Sequence, residues 1–148
     1  RQEEDRLSVL EGLKNGTIDA ISSDHTPQDR DGKLLPFSLA EPGSLGLETL
    51  LSSTLSLFHS KQITLMRAIE LLSYNPSAIL KLNTGRIAKN YPADLTLIDI
   101  EQPWIVKGDK MSSLSSNTCF EGFPFQGIVK STWANGKEIY NFNKNKNI

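Results

Sequence analysis

Six consecutive residues, Ser23-Asp24-His25-Thr26-Pro27-Gln28, bring together a carboxylate, an imidazole, two hydroxyls and a carboxamide. A carboxylate is one of the side chains that can serve as a catalytic group, so Asp24 is the first candidate for chemistry. An aspartate in a proline-rich turn can also simply cap its own loop, and residue type alone favours that plainer role. The remaining metal-ligating types are scarce, with two histidines, His25 and His59, and one cysteine, Cys119. A single cysteine excludes an intrachain disulfide framework and every cysteine-based zinc module. His59 falls at the end of a helical pattern and reads as packed or solvated, not as a ligand.

The elements that must position these residues follow an α/β rhythm. Glu3, Glu4 and Asp5 precede Leu7, Val9, Leu10 and Leu13, and Lys14 and Gly16 close the segment, which is helix punctuation at both ends. Residues 17–23 (TIDAISS) then read as a short strand buried on both faces. In a parallel α/β barrel, side chains at the C-terminal ends of strands face the mouth of the site, which is where Asp24 would lie. Residues 24–43 contain Pro27, Pro36, Pro42 and Gly32 and form a loop too long to be a mere connector. Ser44 is expected to cap a helix carrying Leu47, Leu50, Leu51, Leu55 and Phe58, Thr64 to cap a second, and Asn75-Pro76 to start a third.

After Gly85 the pattern becomes strand-like, with segments 93–99, 104–106, 127–133 and 137–140. The last two flank Asn135-Gly136, the dipeptide that best tolerates the two positive φ angles of a type I′ hairpin turn. These few strands form an appended layer or complete a sheet begun elsewhere. The Asn- and Lys-rich residues 141–148 read as a disordered tail.

Composition sets wider limits. With 148 residues, 38% hydrophobic and 22% charged, the chain is ordinary for a globular domain. The formal charge of −1 with interspersed signs gives no footprint for nucleic acid, and no apolar run approaches a membrane span. A small-molecule or protein partner and a reducing cytoplasm are the expectation. The opening Arg1-Gln2-Glu3-Glu4-Asp5-Arg6 resembles no signal peptide and suggests a start inside a larger protein.

A set of spaced matches adds to this reading. The run from Gly16 to His25, Pro36-Phe37, and Glu41-Pro42-Gly43-Ser44-Leu45-Gly46-Leu47-Glu48-Thr49 resemble the dihydroorotases of the amidohydrolase superfamily. Tyr74-Asn75-Pro76-Ser77-Ala78-Ile79-Leu80, Ala93-Asp94-Leu95, Ser116-Asn117-Thr118 and Phe120-Glu121-Gly122 continue the resemblance over nearly all but the tail. Gly46-Leu47-Glu48-Thr49 favours dihydroorotase over dihydropyrimidinase and allantoinase, which share the Ser-Asp-His start.

The resemblance implies the C-terminal portion of a (β/α)8 barrel, its eighth strand ending at Ser23, plus part of a small β-sandwich. Residues 1–84 would belong to the barrel and 85–140 to the sandwich. It implies a zinc enzyme holding one or two Zn2+ that interconverts N-carbamoyl-L-aspartate and dihydroorotate in pyrimidine synthesis, with most metal ligands outside this segment. Asp24 matches the strand-eight aspartate that touches the metal centre and shuttles the proton, and Pro42 and Gly43 match the loop that meets the substrate ring. Gln28 stands where the family usually carries a histidine that helps hold the substrate carboxylate, and a neutral amide cannot supply a charge-assisted bond. Tyr91-Pro92 likewise replaces a familiar glycine before Ala93. The rival readings are a silent homologue that scaffolds aspartate transcarbamoylase, which Gln28 favours, and a dihydropyrimidinase or hydantoinase. A homodimer or a transcarbamoylase complex is the protein partnership the resemblance allows.

Overall fold

The computed structural model describes residues 2–145. Helix α1 (Glu3–Asn15) opens with the three acidic residues at its positive end and closes on Gly16, whose φ of 88° places it in the left-handed region. The chain bends at Thr17 and Ile18 and forms no strand through residues 17–23, which corrects the sequence expectation. Its backbone bonds are made singly to other elements: Ile18 N–H donates to the Gly12 carbonyl at 2.9 Å and Ile21 N–H to the Leu71 carbonyl at 3.1 Å. A strand needs neighbouring strands to share a ladder, and among the described residues none flanks this one.

Helix α2 (Arg30–Lys33) is one turn inside the long loop, capped by Asp29, whose side chain accepts from Gly32 N–H. Helix α3 (Leu50–His59) begins later than expected and is not capped by Ser44; Thr49 precedes it. The Ser44 hydroxyl is used elsewhere, accepting from Cys119 N–H at 2.9 Å. Helix α4 (Leu65–Ile69) is capped by Thr64 as expected, through a bond from Arg67 N–H. Asn75 does not cap a separate helix. The chain continues from α4 through a π-helical turn, Glu70–Tyr74, into α5 (Asn75–Ile79). Pro76 cannot give an N–H to the preceding turn and its ring crowds it, so a widened turn before it is the natural relief. The freed Asn75 side chain donates instead to the Asp19 carbonyl at 2.8 Å.

Leu10, Leu13, Ile63, Ala68 and Leu71 form the core between these helices, with Ile18, Ile21 and Leu57 packed against them. Arg67 laces the same layer, donating to the Leu13 carbonyl at 2.7 Å and the Ile18 carbonyl at 2.9 Å.

Strands β1 (Leu95–Ile105), β2 (Pro124–Ala134) and β3 (Lys137–Asn141) form one antiparallel sheet in that order. The two segments expected at 93–99 and 104–106 are a single strand interrupted by a bulge between Asp99 and Pro103. Asp99 makes that bulge, its carboxylate accepting from the N–H groups of Glu101 and Gln102 at 3.2 and 3.1 Å. The β2–β3 turn has φ of 49° at Asn135 and 77° at Gly136, as the dipeptide predicts.

The sheet packs on α3 through Gly127, where a side chain would run into Leu55. Ser52, 2% exposed, donates to the Gly127 carbonyl at 2.6 Å and accepts from Trp104 Nε1 at 3.1 Å. Residues 142–145 form a short helix, α6 (Phe142–Asn145), rather than the disordered chain expected there. The rest of that expectation, 146–148, lies outside the described residues.

Candidate functional site

Asp24 follows residues 17–23 directly and has a φ of 47°. Left-handed backbone is uncommon for a residue with a Cβ, although aspartate tolerates it better than most. Its carboxylate is exposed and has no hydrogen-bond partner among the described residues. Asp24 therefore does not cap its loop through its side chain, the plainer role its residue type suggested. It lines a recess of about 430 Å³ together with Ser23, Gly43, Ser44, Leu45 and Gly46 on one side and Cys119 and Phe120 on another.

The loop facing Asp24 is held from both edges of its backbone. Lys33 Nζ donates to the Glu41 carbonyl at 2.7 Å and the Gly43 carbonyl at 3.1 Å, Gln28 Nε2 to the Pro42 carbonyl at 2.9 Å, and Asn117 Nδ2 to the Gly43 carbonyl at 3.2 Å. On the opposite edge, the Gly46 and Leu47 N–H groups both donate to His25 Nδ1, at 3.1 and 3.4 Å. Thr26 N–H donates to the Ser44 carbonyl at 3.0 Å, and Leu45 N–H to the Asn117 carbonyl at 2.9 Å. The approach is close enough to require glycine twice. Gly43 has a φ of 131° and a Cβ there would collide with the Thr26 carbonyl, while a Cβ at Gly46 would lie 2.5 Å from the Ser23 carbonyl oxygen. The N–H groups of Gly43 and Ser44 have no partner among the described residues.

Of the candidates read from sequence, Asp24 and Gly43 share the recess, whereas Gln28 and Pro42 are bonded to each other and are not among its lining residues. Gln28 keeps one of its two amide N–H groups free of partners among the described residues. Sequence reasoning passed over Lys33 and gave no role to His25 or Asn117, although both sit in quoted motifs. The other quoted motifs also prove to be cross-links: Glu48 accepts from Ser112 N–H at 2.8 Å and Glu121 from Gly108 N–H at 2.8 Å. A larger recess of about 590 Å³ lies between α3 and the β1–β2 end, lined by His59, Trp104 and Phe125 among others. Its one titratable side chain, His59, is tied to the Ile100 carbonyl at 3.0 Å, so that recess offers less chemistry than the one at Asp24.

No group of three or more His, Cys, Asp or Glu among the described residues could enclose a metal ion. What the recess offers a metal is one exposed, unpaired carboxylate, that of Asp24, which fits a single position in an oxygen- and nitrogen-rich shell.

Residues 1–139 match the profile described as the Amidohydrolase family. Among curated proteins, the chain is 46% identical over 140 residues to a protein named dihydroorotase from Wolbachia sp. subsp. Brugia malayi. It is 42% identical over 140 residues to one of the same name from Ehrlichia chaffeensis. The chain spans about a third of the length of these relatives, 32% and 31%, while the matches cover 95% of it. Among solved structures, a dihydropyrimidinase from Brevibacillus agri superposes with a TM-score of 0.87 at 20% identity, and a D-hydantoinase with 0.85 at 24%. Each match covers 95% of this chain and 32% of the solved one. These structures, with the family match, establish the fold, the C-terminal portion of an amidohydrolase (β/α)8 barrel with part of its β-sandwich.

Proposed function

The chain belongs to the amidohydrolase family, and on that premise we propose that the full-length protein is a zinc-dependent dihydroorotase, opening and closing the ring of dihydroorotate in pyrimidine synthesis. The observation that carries this reading is the unpaired Asp24 carboxylate facing a glycine loop whose backbone is fixed on both edges. The relatives bearing the name dihydroorotase, at 36–46% identity, support the substrate, and nothing among them supports a silent scaffold. The hydantoinase-type structures share the fold at lower identity and do not argue for their own substrates.

Asp24 would be one of the residues holding the metal, which when bound would polarise the amide carbonyl and bring the pKa of water into a carboxylate's range. Asp24 takes the proton from the attacking water and returns it to the leaving amide nitrogen. Neither carboxylate oxygen has a hydrogen-bond partner among the described residues, so both are open for this work. Gly43 and Ser44 offer backbone N–H groups to acceptors on the substrate ring, and the glycine lets the ring come close. Gln28 anchors Pro42 with one N–H, so it acts on the substrate-facing loop by holding its backbone. Cys119, a single exposed thiol, is consistent with action in a reducing cytoplasm.

Turnover of dihydroorotate and of dihydrouracil by the zinc-loaded full-length protein tests the assignment. A dihydroorotase prefers the carboxylated ring by at least two orders of magnitude in kcat/KM, because a site built for a polar group rejects the analogue lacking it. Preference for dihydrouracil assigns the protein to the dihydropyrimidinases instead.

A further inference from the structure

His25 follows Asp24 directly, yet its imidazole works on the opposite loop. Nδ1 accepts from Gly46 N–H at 3.1 Å and from Leu47 N–H at 3.4 Å, 21 and 22 residues further along the chain. Two backbone N–H groups on one ring nitrogen tie residue 25 to the facing loop. A half-buried ring held in this way fixes the backbone of residue 25, and with it the peptide that keeps Asp24 at a φ of 47°. Backbone of that kind persists only where its surroundings over-determine it. The second restraint is Thr26, whose N–H reaches the Ser44 carbonyl at 3.0 Å and whose hydroxyl donates to the Asp24 carbonyl at 3.2 Å.

We infer that His25 is a positioning residue: its imidazole sets the distance between the Asp24 carboxylate and the Gly43–Gly46 loop, without itself touching the reacting atoms. The inference rests on the dihydroorotase reading for its kinetic consequence, but the contact itself does not. Loss of the acceptor frees the loop from Asp24 on one edge while Lys33 and Asn117 still hold the other. Misplacement by an ångström is enough to slow a reaction that depends on alignment.

The test uses the full-length protein with zinc as wild type, His25→Leu and His25→Asn, since the asparagine carbonyl oxygen can take the place of Nδ1 as acceptor. Two readouts are taken from each: hydrogen exchange at the Gly46 and Leu47 amides, and kcat and KM for dihydroorotate. The expected result is faster exchange at both amides in His25→Leu, a kcat lowered roughly tenfold or more with unchanged zinc content, and recovery of most of both in His25→Asn. Unchanged exchange in His25→Leu overturns the contact. Faster exchange with unchanged kcat overturns the positioning role. A wild type that turns over no dihydroorotate overturns the functional reading, and exchange alone then decides whether His25 anchors the loop.

Discussion

In the sheet, β1 and β2 pair mainly backbone to backbone from Leu95–Trp133 to Ile105–Pro124, and side chains enter at the bulge, where Asp99 meets two N–H groups and His59 the Ile100 carbonyl, and at the α3 contact, where Ser52 meets the Gly127 carbonyl. Around Asp24 the opposite holds. The carbonyls of Glu41, Pro42 and Gly43 and the N–H groups of Gly46 and Leu47 are all met by side chains, those of Lys33, Gln28, Asn117 and His25. Buried or crowded backbone must find partners somewhere. A ladder supplies them generically, whereas an irregular loop needs particular residues at particular places. The consequence is that the sheet tolerates many sequences, while the Asp24 region is specified by a handful of side chains and two glycines.

The largest expected effect separates the two regions by the same kind of substitution. Gly43→Ala forces the loop away from Thr26 and should lower turnover of the full-length protein by roughly a hundredfold, the cost of misaligning a reacting centre, with little change in zinc content. Gly136→Ala, in the β2–β3 turn, should cost about 1 kcal/mol in stability and leave kcat alone. Chemical denaturation and steady-state kinetics of the two variants check the contrast, and equal kinetic losses would break it.

Next in size is Ser52→Ala. It strands the Trp104 indole N–H and the Gly127 carbonyl at the α3–sheet contact and should cost about 2 kcal/mol, read as a lower denaturation midpoint with unchanged KM. A shift in KM would mean that the sheet and the Asp24 loop are coupled through α3.

Gln28→His sharpens the role of the loop's carbonyl edge. A charged imidazole should hold the substrate carboxylate more tightly, lowering KM by about 1 kcal/mol's worth, roughly fivefold, and more visibly in mildly acid solution where histidine is charged. A raised KM would show instead that the bond from Gln28 to Pro42 matters more than any contact with substrate.

The smallest effect belongs to the far end of the sheet. Lys144, donating to Glu138 at 2.8 Å, and Asn141 beside it hold the Glu138 carboxyl below the usual carboxylate range. A depressed folded-state pKa contributes stability that is fully present above the unfolded value and is lost as pH falls through the folded one. The pair is exposed, so solvent screening keeps it weak. Fraying of residues 142–145 in acid, followed by their amide exchange, should occur in wild type and at all pH values in Glu138→Gln.

The same contrast explains what could be read from the sequence. The Glu3–Asn15 helix, the Thr64 cap and the Asn135-Gly136 hairpin announce themselves because their signals are local: acidic residues ahead of an apolar stripe, a hydroxyl at the cap, two residues that accept positive φ. Asp24 and Gly43 were legible from type and motif. What stayed hidden was the bonding between segments distant in sequence, such as Asn117 to Gly43, and the work of His25 and Lys33 within the loop. The helix start assigned to Ser44 failed for this reason, since its hydroxyl serves Cys119 instead of a helix. Residues 17–23 were read as a strand because their composition suits one, yet a strand is a property of neighbours as much as of sequence.

The most direct measurement is the turnover of dihydroorotate by the zinc-loaded full-length protein as wild type and as Asp24→Asn, with zinc content and unfolding midpoint taken on the same samples. An unpaired carboxylate that shuttles a proton predicts a loss of roughly a hundredfold or more in kcat with the fold intact and at most a modest loss of metal. An Asp24→Asn protein that turns over substrate at the wild-type rate would contradict the account, because the one carboxylate at the recess would then have no part in the chemistry.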